Sequence, residues 1–328
     1  MSRTTEYFKA KQLVDQLRRL TQTQASADEY VPLLNRMLHF LPVTAVPLQN
    51  PVLYRARLNE TPTLFETVRE LGYPPSQYVA AKGRLNECNE SILYAALCEL
   101  GCIVESKPDI GQLFTLATIE RPDTNPVLFF PIGVRGRDFS FKAETKTHRL
   151  FIDWLHDELS KVVESTEGYN STIAIAKFFM HKEIVGYPGE KFGGIVYPSV
   201  PGKKTSNTTT FNVAMQPGGF DRHFRISSAQ VYCLTSEPDC YCLQSLNTGE
   251  IQQNGSIVWR LTYEEMINRA LRGINVEGSF SPHLSCALQS QGLLHAQKPT
   301  PHSTGCLAAP ANSNVEVVQK PLPMEIRL

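Results

Sequence analysis

Gly83 to Glu105, GRLNECNESILYAALCELGCIVE, is the stretch on which the fold of this chain turns. It opens on Gly83-Arg84-Leu85-Asn86, where a residue without a side chain, a fixed cation and an amide share four positions. Gly83 permits a tight turn, and Asn89 is placed to cap a helix. Ile92, Leu93, Ala96, Leu97 and Leu100 space as the buried stripe of that helix, with Gly101 as its stop. Cys102 to Glu105 then reads as extended chain. Turn, helix and strand would carry a guanidinium (Arg84), a phenol (Tyr94) and a carboxylate (Glu105) toward one place.

Upstream, Val52 to Arg57 reads as a strand with Arg55 and Arg57 on one face. TLFETVRELGYPP reads as a short helix ending at Gly72 before a Pro-Pro turn. Residues 5 to 20 and 27 to 40 show helical spacing, with Ser26 placed to cap the second run. They form a helical N-terminal extension, residues 1–45, closed by three prolines in PVTAVPLQNP. Downstream, Leu113 to Glu120 and Pro126 to Val134 read as strands, and Thr147 to Val163 and Ser171 to Lys182 as helices. Gly194 to Ser199 and Thr208 to Met215 read as strands, His223 to Arg260 as short strands with turns, and Tyr263 to Leu271 as a helix capped by Thr262. The main domain thus covers residues 46–277. Residues 278–328, rich in His, Ser, Gln and Pro without periodicity, are expected to be a disordered tail.

Composition narrows the function. The 328 residues carry 32 basic and 32 acidic side chains, so no general excess of positive charge is available to displace counterions from nucleic acid. No direct nucleic-acid binding is expected. There is no apolar run long enough to span a bilayer and no signal-peptide pattern at the start, so the expected address is cytoplasmic, with no membrane partner. The eight cysteines lack a C-x-x-C pair with a second pair to complete a tetrahedral site, and no metal is expected. P-loop, HExxH, GxSxG and strand-linked GxGxxG motifs are absent.

Three local signals remain: Tyr54-Arg55-Ala56-Arg57, the Gly83–Glu105 stretch, and Gly194-Ile195-Val196-Tyr197-Pro198-Ser199 followed by Asn207 and Phe211. Each alone has an ordinary reading. Arg84 can cap a turn, Glu105 can pair with Lys107, and Ser199 can end a strand. Together, as YRAR, GRLN…LY…E and GIVYPS…N…F, they resemble the RES domain family, over about half the chain from Val52 to Gln216. That resemblance implies an α+β protein, a mixed α/β domain with a fold like that of ADP-ribosyltransferase toxins, NAD as substrate with no further cofactor, and a helix-turn-helix antitoxin as partner. It carries over Arg84, Tyr94 and Glu105 as catalytic residues, and Arg55, Ser199 and Asn207 as substrate-binding residues. Leu85 stands where the family often has tryptophan.

The residue chemistry fits that expectation. Guanidinium forks suit pyrophosphate oxygens, a phenol can stack on a ring or bond a ribose hydroxyl, and a carboxylate can stabilise the cation that develops when a nicotinamide–ribose bond breaks. Three functions stay open: an NAD hydrolase or phosphorylase acting as a growth-inhibiting toxin, an ADP-ribosyltransferase modifying a macromolecule, and a non-catalytic binding module.

Overall fold

The protein is described from a computed structural model, which covers residues 3–41, 45–48, 50–59, 63–135, 145–180, 193–200, 210–237 and 240–271. Asn207 and the segment 278–328 lie outside them. The architecture is mixed α+β. The described strands are β1 (Val46–Leu48), β2 (Leu53–Leu58), β3 (Leu93–Ala96), β4 (Leu113–Glu120), β5 (Val127–Pro131), β6 (Gly194–Pro198), β7 (Phe211–Met215), β8 (Arg225–Glu237), β9 (Cys240–Ile251) and β10 (Ile257–Trp259). They form one sheet in the order β1-β5-β6-β7-β3-β2-β4-β8-β9-β10. Neighbours are antiparallel except β5 and β6, which run parallel. The described helices are α1 (Arg3–Gln22), α2 (Ala27–Met37), α3 (Val68–Leu71), α4 (Glu99–Ser106), α5 (Lys146–Leu159), α6 (Asn170–Met180), α7 (Pro217–His223) and α8 (Tyr263–Leu271).

Alternation along the central strands sorts their side chains between two cores. On one face, Ile195 and Tyr197 of β6 and Ala214 of β7 join the apolar stripes of α1, α2, α5 and α6 in a single cluster that includes Trp154 and Phe179. On the other, Leu93 and Ala95 of β3, Val196 and Val213 pack with Phe220, Phe224 and Leu71. The N-terminal hairpin therefore shares its core with the sheet face that carries Tyr197. Its turn is capped as expected, with the Ser26 amide donating to Glu29 Oε1 at 2.9 Å. The α8 cap is also present, the Thr262 amide donating to Glu265 Oε2 at 2.8 Å.

The decisive stretch folds with its helix and strand exchanged. The apolar run read as a helix is strand β3, and the segment read as extended is helix α4. β3 lies between β7 and β2 with apolar neighbours on both faces. A strand in that position loses polar/apolar alternation, so its short apolar run carries no period that separates it from a buried helix. Asn89 caps no helix: it sits in a turn with φ +61°. The cap of α4 is Cys98, whose Sγ accepts from the Gly101 amide at 3.3 Å. Gly101 is within that helix, where a Cβ would stand 3.2 Å from Cys98 Sγ and 3.5 Å from Ala96 Cβ. Its missing side chain is used for close packing of α4 on β3, not for ending the helix.

One further expectation needs correction. The region from His223 to Arg260, expected as short strands with turns, is dominated by two long strands, β8 and β9. Helix α7, which precedes them, has no clear apolar period in PGGFDRH and gave no signal. Among the described residues, no helix is long and apolar enough to cross a membrane.

Candidate active site

The site lies where the sheet loosens. β2 forms six ladder pairs with β4 but a single pair, Tyr54↔Ala96, with β3. Next to that pair, the carbonyl of Tyr94 receives a side chain: Arg55 Nη1 donates to it at 2.6 Å, and Arg55 Nε donates to Leu71 O at 3.0 Å. Burial, with Arg57 nearby, pushes the Arg55 guanidinium down to about 10. Arg57 shares the face, as the alternation predicts, and its Nη1 donates to Glu70 O. Arg55 is thus a bracket across the β2–β3 gap as well as a wall of what lies beside it.

That gap opens into a cavity of about 290 Å³, bounded by Arg55 from β2, Tyr94 from β3, Arg84 from the preceding turn, Glu105 from α4, Tyr197 from β6 and Asn212 from β7. Its volume is near the lower end of the usual range for small-molecule sites. It suits one ring and sugar better than a whole dinucleotide.

Glu105 reaches the site from the last turn of α4, and its residue is exposed at the cavity wall. Oε1 accepts from Ser199 Oγ at 2.6 Å and from Asn212 Nδ2 at 2.7 Å. Strand alternation explains the meeting. Tyr197 pairs with Asn212 across β6 and β7, and the Ser199 amide donates to Thr210 O at 3.0 Å, prolonging the ladder past Pro198. Tyr197, Ser199 and Asn212 therefore share the face beneath the end of α4. A carboxylate at a helix C-terminus faces the unfavourable end of the dipole. Two short bonds from buried donors offset that cost and fix one oxygen. Oε2 accepts none from the described residues. The expected alternative, an ion pair with Lys107, is not among the described contacts.

The turn that carries Arg84 is built around Tyr94. The Tyr94 hydroxyl donates to Asn86 Oδ1 at 2.7 Å and accepts from the Leu85 amide at 2.9 Å. A Cβ on Gly83 would stand 2.3 Å from that same Oδ1, so glycine is what lets the turn close over it. Burial raises the Tyr94 phenol well above its ordinary value. The hydroxyl thus belongs to the turn, and Tyr94 lines the cavity together with Gly83 and Arg84 of that turn. Tyr94→Phe is expected to leave the Leu85 amide and the buried Asn86 carbonyl oxygen short of a partner and to cost about 1–3 kcal/mol, read as a lower denaturant midpoint at constant m-value.

Arg84 is held at the far side of the turn. Its Nη1 donates to Leu159 O and Lys161 O, each at 3.1 Å, at the C-terminal end of α5, where a cation is favoured. Its Cζ lies 5.7 Å from the ring centroid of Tyr169.

Of the residues expected at the site, Arg55, Arg84, Tyr94 and Glu105 line one cavity, and Ser199 is bonded to Glu105. Asn207 lies outside the described residues. The asparagine that reaches Glu105 is Asn212, which sequence reasoning did not single out. Its signal is a lone polar residue in the otherwise apolar run Phe211–Met215. Tyr197 was read only as part of a motif; burial, with Tyr94 and Glu105 nearby, raises its phenol well above the ordinary value.

Other chemistry is thinly represented. Among the described residues, no group of His, Cys, Asp or Glu is arranged to hold a metal ion. Cys102 lines the cavity, but burial pushes its thiol up to about 12, so it is a neutral, weakly nucleophilic wall at pH 7. A scan against protein-family models finds no match, and comparisons with curated proteins and with solved structures find none either.

Proposed function

We propose that the protein cleaves the nicotinamide–ribose bond of NAD, by hydrolysis or phosphorolysis, as a RES-type growth-inhibiting toxin of the ADP-ribosyltransferase-like fold. The observation that carries this reading is Glu105, a carboxylate with one oxygen pinned by Ser199 and Asn212, set beside two arginines and two tyrosine rings in one cavity.

The chemistry asks for little else. As the glycosidic C–N bond breaks, its electron pair moves onto the pyridinium nitrogen and nicotinamide leaves neutral, so no general acid is required. Positive charge grows on the ribose, where a fixed carboxylate stabilises it. Water or phosphate then adds to the ribose carbon, and with water a proton passes to Glu105 or solvent. The cavity accommodates the nicotinamide riboside end, and the pyrophosphate would extend toward Arg84. A helix-turn-helix antitoxin is the partner that this reading implies, and it would act by covering the cavity.

Incubation of the full chain with NAD, with and without phosphate, checks the proposal. Free nicotinamide should appear in equal amount with ADP-ribose, or with its phosphorylated form when phosphate is the acceptor. Label from NAD retained on a protein or nucleic acid would identify transfer to a macromolecule instead. No nicotinamide in either buffer would overturn the reading.

A further inference from the structure

The Arg84 turn is tied to the N-terminal hairpin by two separate chains of hydrogen bonds. The first runs through α5. Thr21 Oγ1, in α1, donates to Glu158 Oε1 at 3.1 Å, and Tyr30 OH, in α2, donates to Thr21 Oγ1 at 3.3 Å. Glu158 is buried at 6% exposure, and its Oε2 accepts from Lys161 Nζ at 2.5 Å and Ser171 Oγ at 2.6 Å. Lys161, a member of this cluster, and Leu159, next to Glu158, are the residues whose carbonyls hold the Arg84 guanidinium.

The second chain runs through α6. Asn170 Nδ2 donates to Gln24 O at 3.3 Å and Ala25 O at 3.0 Å, two carbonyls of the α1–α2 turn. On its other side, Asn170 Oδ1 accepts from Lys82 Nζ at 2.9 Å, two positions before Arg84. Thr172 Oγ1, one half-turn along the same helix, donates to the Arg84 carbonyl.

We propose that the α1–α2 hairpin is the positioning element of the Arg84 turn, with Thr21, Glu158 and Asn170 as positioning residues that touch no substrate themselves. Its physical basis is geometric. A buried carboxylate with three donors and an amide with both ends engaged have one low-energy arrangement each, so they fix the carbonyls and the lysine that bracket Arg84. A long guanidinium side chain loses rotamer freedom when held, and a preformed frame removes that cost from substrate binding. The kinetic part of the inference rests on Arg84 acting on NAD; the conformational part does not.

Two substitutions cut the two chains without removing bulk. Thr21→Val deletes the hydroxyl that meets Glu158. Asn170→Asp replaces the donor facing Gln24 O and Ala25 O while keeping an acceptor for Lys82. In the ligand-free full chain, amide hydrogen exchange of residues 83–86 should quicken about tenfold in the double variant, with β6 and β7 unchanged, since loss of two such bonds frees local opening. KM for NAD should rise about 5–10-fold and kcat change less than twofold, the pattern of lost binding without lost transition-state stabilisation. The single Thr21→Ser variant, which keeps the hydroxyl and leaves Asn170 in place, should show the wild-type values. Should the double variant fail to fold, the Thr21→Val chain alone carries the exchange measurement. Unchanged exchange at 83–86, or an equal rise there and in β6 and β7, would overturn the proposal. Wild type that exchanges as expected but releases no nicotinamide would overturn the NAD reading and leave the hairpin's role standing on the exchange result.

Discussion

Glu105→Gln is expected to lower the rate of nicotinamide release about 10²–10³-fold, as for removal of one preorganised electrostatic group, while the protein keeps its fold. Glutamine has the shape of glutamate, and its carbonyl oxygen can accept both bonds that Glu105 Oε1 accepts from Ser199 and Asn212. Only the charge is lost, and the charge is what a developing ribose cation would feel. Glu105→Ala removes the acceptor too and leaves the buried Asn212 amide without its partner, so a stability loss of about 1–3 kcal/mol accompanies the kinetic one. Initial rates at saturating NAD, set beside thermal melts of both variants, separate charge from scaffold. A Glu105→Gln enzyme within threefold of wild type would remove Glu105 from the chemistry.

The second large effect is steep unfolding in alkali. Tyr30, Tyr197 and Tyr232 are almost wholly buried. Burial pushes Tyr30 up to about 12 and raises Tyr197 and Tyr232 further from the ordinary value. A neutral phenol that resists ionisation in the fold contributes stability that is fully present below about pH 10, the unfolded value. It is lost as pH climbs toward the folded value, because the unfolded chain then sheds a proton that the native one keeps. The Cys102 thiol, pushed up to about 12, begins the same decline from its own ordinary value near 9. Arg55 acts in the opposite sense: its pKa of about 10 lies below the unfolded value, so the native state releases that proton first.

The buried phenols, Tyr94 among them, and the thiol outnumber the one guanidinium, so stability should fall by on the order of a few kcal/mol per pH unit above pH 10. Against a typical domain stability of about 5–15 kcal/mol, unfolding should be complete within a few pH units of 10. Tyrosinate absorbance from the buried phenols should appear in the same transition as loss of circular dichroism. Absorbance that rises fully before the structure is lost would contradict the burial of these rings.

Much of the site was readable because it rests on residue types with narrow physical uses. Gly83 had to be small for the turn to close, and the sheet face of Tyr197 and Ser199 follows from simple alternation in Gly194–Ser199. The elements carrying Tyr94 and Glu105 were not readable in the same way. ILYAALCELG is apolar at nearly every position, and periodicity cannot distinguish a strand buried on both faces from a buried helix. Asn212 escaped because nothing local marks which polar residue in a strand will meet a partner 107 positions away.

By itself, then, the sequence determined an α+β chain with a helical hairpin at its start, a set of capped helices, and a short roster of arginine, tyrosine, glutamate and serine as candidate site residues. Only the tertiary structure decided that Tyr94 lies on a strand and Glu105 on a helix. It also decided that Arg55 brackets a gap in the sheet, that Asn212 holds Glu105, and that the hairpin is bonded to the Arg84 turn. The reason is the range of the forces involved. Capping, turns and amphipathic stripes are settled within a few residues of chain, whereas the fate of a uniformly apolar segment depends on the surfaces it meets. Those surfaces come from strands and helices distant in sequence, and burial between them chose strand for one half of Gly83–Glu105 and helix for the other.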